Sequence, residues 1–135
     1  MPALVGFGAA AAAVLPALDV ERARAAAQIR RVRDLAAAIE GVVALGDPDP
    51  GGRLPHIACF VVAGVEAEAV LLGLDQEGVA AHSGSACSSE SLEPSPVLEA
   101  MGVEAERSLR ISVGWSTTEG DVDALADALP RVVAR

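Results

Sequence analysis

The sequence predicts an α+β fold, with helices covering one face of a small sheet, on three observations. Apolar residues recur at helical spacing in several stretches, and short apolar or alternating segments have strand composition. The two kinds are interleaved without internal repeats and are separated by glycine and proline turns. At 135 residues the chain is one domain, 1–135, large enough for one core and too small for two. Hydrophobic residues make up 52% and aromatics only 2%, so that core must be built from alanine, valine, leucine and isoleucine.

Leu4, Val5 and Phe7, followed by alanines, predict a first helix that ends before Pro16. Asp19 is placed to N-cap a long second helix with Val20, Ala23, Ala27, Val32, Leu35 and Ile39 on its apolar face and Gly41 as its stop. Arg22, Arg24, Arg31 and Arg33 read as its solvated face, with a docking patch for an acidic partner as the alternative. A short strand over Val42 to Leu45 leads into GDPDPGGR, an exposed loop. HIACFVV, from His56 to Val62, is strand-like, and Glu66 to Glu77 is a helix with Ala67, Val70, Leu71 and Leu74 inward and Gly78 as its stop. Val79 to Ala81 is expected as a short strand, Pro94 to Met101 as a short helix, and Leu109 to Val113 as a strand. Thr118 and Asp121 resemble a capping box that opens a final helix. Its stripe is Val122, Leu125, Ala126, Leu129 and Val133, with a kink expected at Pro130.

A net charge of -9 argues against nucleic acid as a partner, because phosphate binding relies on clustered Lys and Arg. Two cysteines, Cys59 and Cys87, make no disulfide scaffold, and no charged leader with a cleavage site opens the chain. The alanine run from Ala9 is interrupted by Pro16 and Asp19 too soon to span a bilayer. A reducing cytoplasm without membrane attachment is the expected setting.

The run AAHSGSACSSESLEPSP, from Ala80 to Pro96, places Cys87 among small polar residues that make a poor hydrophobic burial site. A reactive thiol and an inert one are the two readings, since only the thiolate is a nucleophile. Cys59, inside an apolar strand, reads as core. His56 and His82 with the two cysteines raise the idea of a zinc site, but His56 and Cys59 are three apart on one strand and point to opposite faces. No metal site is expected. His82 is either a loop histidine in solvent or a group acting on the Cys87 thiol.

Three blocks carry a specific likeness: SGSACSS from Ser83, SLEPSPVLEAMG from Ser91, and SLRISVGWSTTEGDVD from Ser108. In that order and spacing they resemble the carboxy-terminal small domain of the cysteine desulfurases, pyridoxal-phosphate enzymes of the class V aminotransferase group, in their NifS-like or IscS-like branch. The likeness extends upstream through LPHIACFVVAGVEAEAVLLGLDQEGVA, from Leu54, to PALVGFGAAA, from Pro2. It implies the small domain of a fold-type I enzyme, with Cys87 as the catalytic cysteine. Cysteine held on the cofactor would present its sulfur to the Cys87 thiolate, giving alanine and a persulfide for delivery to acceptors such as iron–sulfur scaffold proteins. Arg110 matches the arginine that binds the substrate carboxylate, for which a guanidinium fork is suited. The first helix matches the link between two domains, so its apolar face is either a cut interface or an ordinary core face. His56, His82 and Trp115 stand where the family more often has asparagine, serine and arginine.

All ten basic residues are arginine. Pyridoxal phosphate is held as a Schiff base on a lysine, which arginine cannot replace. The chain by itself is therefore expected to bind no cofactor and to be inactive, with the cofactor-binding large domain upstream in a longer product or on another chain. The complete enzyme would be a homodimer. The alternative is a stand-alone sulfur-relay or scaffold module without cofactor chemistry; a degenerate paralogue is a third reading, opposed by the intact Cys87 and Arg110.

Overall fold

A computed structural model of the chain describes residues 2–83 and 95–134. Helix α1 (Pro2–Val14) ends before Pro16 as expected, but the chain does not turn away there: a 3-10 turn over Leu15–Ala17 joins it directly to α2 (Leu18–Ala37). Pro16 falls in the first positions of that turn, where a missing N–H costs little. Asp19 is consequently not a cap. The cap position belongs to Ala17, which has helical backbone angles, and Asp19 stands in the first turn, where its carboxylate favours the helix dipole.

No residue of α1 is buried. The apolar face of α2 is also shorter and rotated relative to expectation, with Gln28, Ile29, Val32 and Ala36 buried while Val20 is 70% exposed. The fully buried residues of α2 all lie in its second half, while in the first half Ala25 packs only at the margin of the core. The helix ends at Ala37, and Gly41, with φ of 81°, sits in the following turn, where its carbonyl accepts from Ala63 N at 2.8 Å.

Strands β1 (Val42–Ala44), β2 (Ile57–Val62), β3 (His82–Ser83) and β4 (Ser108–Ser112) form one antiparallel sheet in the order β1-β2-β4-β3. Helices α3 (Ala67–Gln76) and α5 (Glu119–Val133) join α2 over one face, and α4 (Pro96–Ala100) follows the residues not described. The core lies between: Ala58, Phe60 and Val62 of β2 and Leu109 and Ile111 of β4 meet Val32 of α2, Val70 and Leu74 of α3, and Leu125 and Leu129 of α5.

The expected strand at Val79 to Ala81 appears three residues later because Val79 is used by a helix cap. Gly78, with φ of 78°, turns the chain so that Val79 N donates to Leu74 O and Gly78 N to Asp75 O, both at 2.9 Å. This six-to-one and five-to-two pair is a Schellman ending. Gly102 ends α4 identically, with Val103 N donating to Leu98 O. The Thr118–Asp121 capping box is present as expected, and its hydrogen bonds from Thr118 hold the Asp121 carboxyl below its ordinary pKa. In α5 the buried set is Val122, Leu125, Ala128, Leu129 and Val132, so Ala126 and Val133 lie at the margin of the stripe. Pro130 stands in the last turn, and the helix continues past it to Val133.

Helices α3 and α5 approach closely at Gly73, where an added Cβ would lie 2.6 Å from Val132 Cγ1. Val132 is buried and β-branched, so it has no free rotation to yield with. Gly73→Ala should therefore lower stability by about 1 to 2 kcal/mol although alanine is the better helix former. Thermal or denaturant unfolding checks this; an unchanged or raised midpoint would show that the helices separate without cost.

Candidate functional site

The alternation of β2 and β4 turns one residue set into the core and the other to the opposite face. In register, Phe60 pairs with Leu109 on the core side, while Cys59 pairs with Arg110, and Arg110 in turn pairs with His82 of β3. Cys59, Arg110 and His82 thus form one row across three strands on the face away from α2, α3 and α5. This corrects the expectation that Cys59 belongs to the core: it is only half-buried and faces Arg110's side of the sheet. Burial pushes its thiol pKa up, opposed by a backbone hydrogen bond at Phe60 and by the Arg110 charge. Cys59 therefore remains a protonated, weak nucleophile at neutral pH.

Arg110 is half-buried on a central strand, and its guanidinium has no hydrogen bond or ion pair among the described residues. Its Nε is fully buried and lacks a partner. A buried donor left unpaired is costly, and an incoming carboxylate can supply what is missing. By contrast, Arg24, Arg31, Arg107 and Arg131 are each paired with a carboxylate.

Cys87 lies outside the described residues, four positions beyond Ser83. Ser83 itself pairs with Leu109, the residue preceding Arg110. His82 is exposed, with Nδ1 against its neighbour's carbonyl, Ser83 O. His56 is exposed just ahead of β2, its carbonyl accepting from Val113 N at 2.9 Å. Among the described residues no group of three or more His, Cys, Asp or Glu side chains could hold a metal ion.

Arg24, read from the sequence with the solvated face of α2, has a positioning role that its residue type and spacing do not show. Arg24 of α2 donates to three carbonyls of one turn, Thr117 O at 2.9 Å, Trp115 O at 2.7 Å and Gly114 O at 3.2 Å. Gln28, one helical turn on and 3% exposed, adds a bond to Thr117 O at 3.1 Å. Together they fix the turn that links the Arg110 strand to α5. Arg31 meanwhile pairs with Glu119 and Asp123, so this side of α2 is an interface to α5 and its preceding turn. The solvated-face reading fails for Arg24, which is half-buried against this turn, and holds for Arg31, whose ion pairs stay exposed. The fixed turn presents Trp115, 84% exposed, beside an apolar groove lined by Val14, Ala17, Leu18, Leu54 and Pro55. With Leu4, Val5 and Phe7 also open to solvent, the α1 end of the protein carries most of its exposed large apolar side chains. The helical run Pro2–Ala37 also contains a window long and apolar enough to cross a membrane by length and composition, because Pro16 does not break it.

Residues 1–125 match the family model described as aminotransferase class-V. The chain is 37% identical to a cysteine desulfurase of Gluconacetobacter diazotrophicus over 143 aligned residues, covering all of this chain and 34% of that protein. It is 38% identical to the cysteine desulfurase NifS of Azotobacter vinelandii, covering 98% of this chain and 33% of that protein. Among solved structures, a NifS-like protein from Rickettsia africae superposes with a TM-score of 0.82 at 24% identity, over 96% of this chain and 34% of that one. The chain thus spans about a third of the length of the relatives it matches.

Proposed function

The chain belongs to the class-V aminotransferase family, and from that premise we propose that it is the small domain of a pyridoxal-phosphate-dependent cysteine desulfurase, with Cys87 as the sulfur acceptor. Arg110 carries this reading. Its guanidinium, without a partner among the described residues, stands on the strand paired with β3, which precedes the Cys87 segment in sequence. It receives the α-carboxylate of L-cysteine and orients the substrate. The Cys87 thiolate forms a bond to the substrate sulfur, the substrate's carbon–sulfur bond breaks, and L-alanine leaves while the persulfide remains on Cys87. A small-residue segment suits a group that must reach a substrate and then an acceptor, such as an iron–sulfur scaffold protein.

The cofactor finds no attachment point on this chain, which contains no lysine. Its chemistry belongs to a separate large domain, consistent with the one-third coverage of the relatives. The apolar surface of α1 is then a protein-covered face in the assembled homodimeric enzyme. A membrane role is disfavoured because the family match includes this helix. A cytoplasmic enzyme is the proposed setting.

Mixing the purified chain with a separately made large domain of a NifS-type relative tests the proposal. Sulfide release from L-cysteine should appear only in the mixture, and the chain alone should remain colourless after exposure to pyridoxal phosphate and removal of the excess. Binding without restored activity would favour a sulfur-relay module. A coloured, lysine-free chain would overturn the assignment of the cofactor to another domain.

A further inference from the structure

On the other side of Cys59 from Arg110's strand, the loop between β1 and β2 meets α2 and α4 around a pocket of about 250 Å³. Two arginines line it, Arg33 from α2 and Arg53 from the loop. Among the described residues neither forms an ion pair, and the only hydrogen bond from either side chain is Arg33 Nη1 to Leu45 O at 3.3 Å. The Asp47 carboxylate is also at the pocket, where it accepts from Asp49 N at 2.8 Å within its own loop. Burial, and then the charge of Arg53, hold Arg33 below its ordinary range, so the two cations act on one another. Two guanidiniums thus share the pocket with one carboxylate, Asp47, itself engaged within its own loop, and the positive excess is one that an anion would neutralise. Ile57, Cys59, Leu98 and Met101 are among the apolar residues of the remaining wall.

We propose that this pocket binds a small carboxylate with a short aliphatic stem, its head between Arg33 and Arg53 and its stem against Ile57, Leu98 and Met101. Guanidinium forks match the head and the apolar wall matches the stem. The site is distinct from Arg110, and it does not depend on the desulfurase reading.

Cys59 lines the pocket and serves as a built-in reporter. In a Cys87→Ser chain it is the sole thiol, and its labelling by a thiol-specific disulfide reagent at mildly alkaline pH can be followed with butanoate as the probe. Butanoate at about twice its dissociation constant should slow labelling about threefold, whereas uncharged butanamide should not. Arg33→Gln and Arg53→Gln should each remove the protection while far-UV circular dichroism is unchanged; Arg53, on a loop, decides the matter should Arg33→Gln fail to fold. Absence of protection in the parent chain, equal protection by butanamide, or protection that survives Arg53→Gln would overturn the proposal. Protection lost only in Arg110→Gln would assign the anion to Arg110 and also overturn it.

Discussion

Cys87→Ser, in the chain reassembled with a large domain, should reduce sulfur transfer from L-cysteine by on the order of 10³-fold or more while cofactor absorbance is retained. Serine preserves the size and polarity of the side chain but offers a hydroxyl that is not ionised near neutral pH and does not accept sulfur. The matched control is Cys59→Ser. Cys59 is half-buried with its thiol pKa raised by burial, so its loss should leave transfer near the parent rate. Mass spectrometry after one turnover should find the added sulfur on the peptide containing Cys87. Sulfur on Cys59, or loss of cofactor binding in Cys87→Ser, would show that the thiol roles have been misassigned.

The order of helices and strands was legible because each boundary is marked by a residue with one local job. Gly78 and Gly102 adopt positive φ at helix ends, and Thr118 with Asp121 closes a capping box. The errors arise where a tertiary neighbour decides. Asp19 is a plausible cap by type, but the 3-10 turn through Pro16 continues the helix past it. Val79 has strand character, yet its N–H is committed to the end of α3. Cys59 sits in an apolar run, and only the register with Arg110 reveals which face it occupies. Arg110 was legible by its motif, whereas its lack of a partner among the described residues required the structure. Arg24 has no motif at all. Its partners are backbone carbonyls some 90 positions away, which carry no side-chain signature.

Arg110→Gln should raise KM for L-cysteine about 100-fold in the reassembled enzyme, with a smaller change in kcat. Loss of a charge-assisted carboxylate contact costs about 1.5 to 3 kcal/mol, and among the described residues the Arg110 Nε has no partner that would compensate. Arg110→Lys should recover only part of the loss, since an ammonium restores the charge without the bidentate fork. A simple folding defect is separated from this by a reading on the chain itself. Arg110 lowers the Cys59 thiol pKa, so its removal should raise that pKa further and slow Cys59 labelling at a given pH. If Arg110→Gln leaves KM unchanged while Cys59 labelling slows, the guanidinium is in place and charged but does not bind substrate, and the carboxylate must be held by another residue.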